Sequence, residues 1–275
     1  SGATLNEGFE VALTSTLFQN KDWMVTFMAN LSSNRSKITE LSEEMNAYNE
    51  TILAEYEKED SKYKDVLSRP LILYYEGKSL SAIYAVRSEG IDPANGKELY
   101  YDKNGNYTYD FSYDNEVICG NTRPKIEGVF GTSLNWKGLS FSLNFRYQLG
   151  ADVFNEALFN KVENISTGGL TKNQDKRALY ERWKEPGDLV RFKDIANAAS
   201  TPMSSPFVQE ENVLTLESVY LGYEFYDGWI QKLGLSNLKV QVSMRDVFRA
   251  SSIKSERGIS YPFARSLEAG LSFNF

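Results

Sequence analysis

Residues 139–149 alternate without a break. Leu139, Phe141, Leu143, Phe145, Tyr147 and Leu149 fall on one side of an extended chain, and Ser140, Ser142, Asn144, Arg146 and Gln148 on the other. Successive strand side chains point to opposite faces of a sheet, so the segment reads as a strand with one apolar and one polar face. The preceding segment repeats the design: Ile126, Phe130, Leu134 and Trp136 alternate with Lys125, Glu127, Ser133 and Asn135. Only Lys137-Gly138 lies between the two, a tight-turn signal.

Five further segments follow the same rule. Phe9, Val11, Leu13 and Leu17 form one apolar row, and Trp23, Val25, Phe27, Ala29 and Leu31 a partner row. Val219, Leu221, Tyr223 and Phe225 make another, and Leu238, Val240, Val242 and Met244 the next. The chain closes on Phe263, Leu267, Ala269, Leu271, Phe273 and Phe275, with Arg265 as an exception near the start of that row. Seven strands of about 11–13 residues result, longer than the 5–6 common in soluble domains and long enough for a tilted membrane strand. Their connections alternate. Short ones fall at 19–22, 137–138 and 226–236, and long ones at 35–123, 151–212 and 249–262. Short turns on one side and long loops on the other are the layout of an outer-membrane barrel. The expected fold class is therefore all-β: an antiparallel transmembrane β-barrel, present in part, with long extracellular loops. Trp23, Trp136 and Trp229 lie at or near the short turns, where an aromatic membrane girdle would sit. Ordinary packing is the alternative for each. A soluble β-sandwich with one wet face, serving as an adhesion or binding module, is the alternative for the fold, as is a self-contained small barrel.

Composition narrows the choice. No apolar run approaches the roughly 18–20 residues of a transmembrane helix. The chain has 275 residues, 30 Lys+Arg against 37 Asp+Glu, and no His. An acidic balance argues against a nucleic-acid partner. Without His a Ser–His catalytic pair cannot form within the chain, and no phosphate loop or metal constellation stands out. The expectation is no enzyme activity, no catalytic or metal residues and no cofactor. The single cysteine, Cys119, excludes an internal disulfide and reads as an inert small residue.

The long connections carry structure of their own. Ile38, Leu41, Met45, Tyr48, Ile52 and Tyr56 sit at helical spacing and predict an acidic amphipathic helix over 38–66. Residues 78–113 hold two or three extended pieces around Asn95-Gly96 and Asp102–Asn106, read as a hairpin outside the membrane, and 174–184 a short helix before Pro186-Gly187. Asp102–Asn106 resembles part of a calcium loop but lacks the late Glu, which favours a turn. The acidic run Glu55–Asp60 reads as solvated charge.

Specific segments resemble one family. Asn6-Glu7-Gly8-Phe9-Glu10 followed by the Trp23 strand is similar to late barrel strands of TonB-dependent outer-membrane receptors. Gly90-Ile91-Asp92-Pro93-Ala94-Asn95-Gly96 with Tyr101-Asp102-Lys103-Asn104-Gly105, and then Arg182-Trp183-Lys184-Glu185-Pro186-Gly187-Asp188, resemble segments of its SusC/RagA branch. Gly120, Pro124, Gly128 and Phe130 match the entry to the next strand pair, and Tyr261-Pro262 with Leu271–Phe275 match the family's end. In order, these matches span nearly all of the chain, which looks like the C-terminal part of such a receptor.

The resemblance implies a barrel of 22 strands, about a third of them here, in the outer membrane of a Gram-negative bacterium. The plug domain and TonB box would lie N-terminal to this stretch, and strands outside it would complete both sheet edges. It implies import of an oligosaccharide or oligopeptide, a SusD-like lipoprotein as lid, and TonB acting through the missing N-terminal part. Arg182 and Trp183 would then lie in an outer loop, available to ligand or lid, with loop packing as the alternative. Phe275 resembles the C-terminal aromatic signal read by the barrel assembly machinery.

Overall fold

The computed structural model describes residues 2–56, 73–226, 228–254 and 265–275. The expected helix residues 57–66, most of the acidic run, the loop residues 255–262, Phe263 and the closing Tyr261-Pro262 lie outside them. In chain order the elements are β1 (Ala3–Gln19), β2 (Trp23–Glu40), α1 (Glu43–Tyr56), β3 (Ala82–Val86), β4 (Ser88–Ile91), β5 (Glu98–Tyr101), β6 (Tyr107–Thr108) and β7 (Glu116–Asn121). Then follow β8 (Ile126–Trp136), β9 (Leu139–Phe154), β10 (Val208–Phe225), β11 (Asn237–Ser251) and β12 (Ser266–Asn274). Two compact units result. A strand unit holds Gly8–Asn34, Pro124–Gly150 and Glu211–Phe275, and a loop unit holds Ser1–Glu7, Arg35–Arg123 and Ala151–Glu210.

The seven alternating segments form one sheet in the order β1-β2-β8-β9-β10-β11-β12. Its register aligns the apolar rows. Trp23, Val25 and Ala29 of β2 stand opposite Trp136, Leu134 and Phe130 of β8. Leu134, Phe130 and Ile126 in turn oppose Phe141, Phe145 and Leu149 of β9. Phe225, Tyr223, Leu221 and Val219 of β10 oppose Leu238, Val240, Val242 and Met244 of β11. Those oppose Phe273, Leu271, Ala269 and Leu267 of β12. A one-residue slip would move a whole row to the other face, so the pattern itself enforces the register. Near its far end β11 carries one extra residue relative to β10, with Asp246 at φ 50°, a β-bulge in the left-handed region that Asp tolerates.

Among the described residues the apolar rows are half-buried in the middle of the sheet and exposed toward its edges. Phe9, Leu17, Leu221, Leu267 and Leu271 are 59%, 63%, 48%, 70% and 64% exposed. In a sandwich these rows would be the buried core between two sheets. Within the strand unit the described residues supply no second sheet, and β1 and β12 are the two edges of an open sheet rather than neighbours. A closed small barrel and a sandwich are both absent from the described residues. The open antiparallel sheet is a partial barrel wall.

Several strands are longer than expected: β1, β2, β9, β10 and β11 have 17, 18, 16, 18 and 15 residues. The apolar signal stops before the backbone ladder does. β2 runs on through Ser32-Ser33-Asn34-Arg35-Ser36, where polar side chains do nothing to prevent main-chain pairing. Ile38 consequently belongs to β2, not to a helix. The helix starts five residues late, at Glu43, because the Ser42 hydroxyl accepts the Met45 N–H at 3.2 Å and caps it. The 174–184 segment holds only a 3₁₀ turn, Lys176–Leu179, capped by Asp175. The 78–113 segment is a three-stranded sheet, β4-β5-β6, plus β3, which pairs with β7.

The loop unit has its own cores. Leu158, Phe159, Val162, Ala178, Phe192, Met203 and Phe207 pack together, and Ile52 of α1 packs with Leu73, Ala82 and Tyr84. Asn49 ties α1 to the chain that follows: its Nδ2 donates to the Tyr74 carbonyl at 2.6 Å and its Oδ1 accepts from the Tyr74 N–H at 3.0 Å. That pair satisfies a buried amide at both ends.

Candidate functional site

The strand unit offers two chemically different surfaces. On the apolar one, Trp23 and Trp136 stack at 5.1 Å between ring centres, and Phe130 and Phe145 at 5.0 Å. Both are cross-strand pairs, the contacts that stabilise a sheet face. The opposite surface is a hydrogen-bonded network. Asn144 Nδ2 donates to Ser218 Oγ at 3.0 Å, Ser140 Oγ to Asn135 Oδ1 at 3.0 Å, and Tyr220 Oη to Gln241 Oε1 at 3.2 Å. Arg146 pairs with Glu217 at 2.5 Å. Gly128 permits one close approach in this wall. A Cβ there would stand 2.1 Å from the Asn30 carbonyl oxygen, which accepts from Tyr147 Oη at 2.9 Å.

The aromatic residues singled out by spacing sit at the short-turn end of the sheet. Trp23 and Trp136 flank the first strand pair's end, and Trp136 precedes Lys137, whose φ of 47° closes the two-residue turn. Trp229 lies in the 226–236 connection with its ring 5.6 Å from Phe225. Phe225, Leu238 and Phe273 are successive cross-strand neighbours, and the Phe275 ring meets Phe273 at 5.6 Å. Phe275 itself is 88% exposed.

In the loop unit the two family-like segments meet. Trp183 Nε1 donates to the Pro93 carbonyl at 3.0 Å, and the Gly187 N–H donates to the same oxygen at 2.9 Å. The indole lies against Gly96, which has φ +71°. The turn around Asn95 is set by Asp92, whose carboxylate accepts the Ala94 N–H at 2.8 Å and the Tyr109 hydroxyl. Those bonds hold the Asp92 carboxyl below its usual range.

Arg182 points inward. Its Nε donates to the Ala178 carbonyl at 2.7 Å, its Nη1 to the Lys193 carbonyl at 2.9 Å and its Nη2 to the Val162 carbonyl. It is buried, and burial lowers its pKa. The guanidinium staples three chain segments, whereas Trp183 keeps part of its ring at the surface. Neighbours in sequence, the two side chains have different surroundings.

Beside this staple lies a cavity of about 200 Å³ within the loop unit. Glu98, Glu163, Lys193, Tyr100 and Tyr109 line it, none of which the sequence pattern singled out. Glu98 accepts from the Tyr100 hydroxyl at 3.0 Å and from Ser204 Oγ. Burial raises its pKa, against the lowering effect of those hydroxyls. Glu163 accepts from Thr201 Oγ1 at 2.6 Å. Lys193 Nζ donates to Asn164 Oδ1 at 3.1 Å and to the Ala199 carbonyl, and burial lowers its pKa.

The remaining candidates resolve locally. The Asp102 carboxylate is filled by its own turn, accepting the N–H groups of Asn104 and Asn106, each at 2.8 Å. Cys119 lies within β7, half-buried, its thiol donating to the Ala85 carbonyl at 3.4 Å, and burial raises its pKa. Among the described residues no three His, Cys, Asp or Glu side chains gather to hold a metal, and no helix is long and apolar enough to cross a membrane.

No family model matches the chain. It is 24% identical over 286 residues to the TonB-dependent receptor SusC of Bacteroides thetaiotaomicron, covering 100% of this chain and 27% of that protein. It is 21% identical over 281 residues to TonB-dependent receptor P39 of Formosa agariphila, covering 90% of this chain and 26% of the relative. The chain thus spans about a quarter of the length of the curated relatives it matches. In fold it is similar to the RagAB peptide importer in its open-open state, with TM-score 0.74, 22% identity, and coverage of 100% of this chain and 29% of that one. A second structure of the RagAB peptide transporter matches with TM-score 0.70 over 92% of this chain and 26% of that one. An open wall of alternating strands, sequence likeness to SusC and the fold of RagAB together make the chain similar to a stretch of barrel wall from a SusC/RagA-type TonB-dependent receptor.

Proposed function

We propose that the chain supplies C-terminal wall strands and outer loops of a nutrient importer in the outer membrane of a Gram-negative bacterium. The apolar face of the seven-stranded sheet, exposed toward its edges and backed by a hydrogen-bonded polar face, carries this reading. In lipid every strand amide must pair with a neighbour, so a sheet with two open edges needs further strands to close it. The apolar face meets lipid and the polar face a water-filled lumen. Trp23, Trp136 and Trp229 belong to the interfacial girdle, and Phe275 adds an exposed aromatic to the last apolar row, a side chain for the assembly machinery to read. Residues 35–123 and 151–212 are extracellular, where Trp183, anchored by Arg182, meets ligand or a SusD-like lipoprotein lid.

Import needs no covalent chemistry from this chain. An oligosaccharide or oligopeptide binds above the lumen, the lid closes, and TonB pulls on the plug from the periplasm, drawing on the inner-membrane proton gradient. Uptake of labelled ligand by cells carrying or lacking the gene tests the reading. Uptake should vanish on deletion of the gene and on dissipation of the proton gradient. Energy-independent uptake, or uptake unchanged by the deletion, would refute it.

A further inference from the structure

We draw no further inference here: the strongest candidate, the exposed apolar surface of Leu179, Tyr180 and Leu189 in the 151–212 connection of the loop unit, carries nothing because nothing in the structure shows what covers it.

Discussion

The indole of Trp183 presses on Gly96 so closely that a Cβ on the glycine would stand 2.6 Å from its Cδ2 atom. Gly96 sits at φ +71°, and Trp183 Nε1 is bonded to the Pro93 carbonyl three residues earlier. Two segments far apart in the chain thereby become one structural piece. Gly96→Ala combines a left-handed backbone with overpacking against a ring, and should destabilise the loop unit by about 2–4 kcal/mol. Hydrogen exchange of the full-length receptor should show faster exchange around residues 93–100 and 182–192 together. Acceleration confined to the 93–100 segment would deny the coupling.

The wall makes a sharper prediction about faces. A charge at Leu143 would enter the apolar row, whereas Asn144 already hydrogen bonds on the polar side. Leu143→Lys should cost about 2–4 kcal/mol near the bilayer midplane, and Asn144→Lys far less. Urea unfolding of the receptor in lipid vesicles measures both. Equal losses would contradict the assigned facing.

Glu116 gives the loop unit a pH dependence. Among the described residues its buried Oε2 has no hydrogen-bond partner, and burial lifts its carboxyl from 4.5 to about 7. Because the folded-state value is raised, its stabilising effect is full below about pH 4.5 and is lost as pH rises through about 7. At pH 8 the charged, buried carboxylate should weaken the β3–β7 pair by on the order of 2–3 kcal/mol. Glu116→Gln should abolish that slope and slow amide exchange in β3 and β7 at pH 8. A slope that survives the substitution would assign it to another group.

Arg182 and Trp183 should separate on substitution. Arg182→Ala removes a buried donor from the carbonyls of Ala178, Lys193 and Val162, and should cost roughly 3 kcal/mol or more of loop-unit stability. Trp183→Phe loses the bond to Pro93 while keeping most of the ring, and should cost about 1 kcal/mol. Protease resistance of the receptor's loops ranks the two, and the reverse order would contradict the staple assigned to Arg182.

Legibility in the sequence followed the physics of each element. The wall was readable because its two faces meet different surroundings, which imposes period two on residues such as Leu139–Leu149, and because Lys137-Gly138 marks its turn. β3 was not, since Ala82–Val86 is buried on every side chain and shows no alternation. Its partner β7 lies beyond three other strands, and the register between them skips at Ile83/Tyr84. Ile38 fits a helical row by spacing, but the Ser42 cap, not the row, decides where the helix begins. Arg182 stood out as a residue, yet its partners are main-chain carbonyls, which carry no side-chain signature. The cavity residues Glu98 and Glu163 come from separate segments, and only folding joins them.

As a barrel wall, this sheet would hold one face in lipid and the other in water. Single cysteines at positions 141–147 of β9, placed in a Cys119→Ala background of the full-length receptor in outer membranes, test it directly. A membrane-impermeant maleimide should label positions 142, 144 and 146 and spare 141, 143, 145 and 147. Uniform labelling, or labelling of the odd positions, would contradict the account.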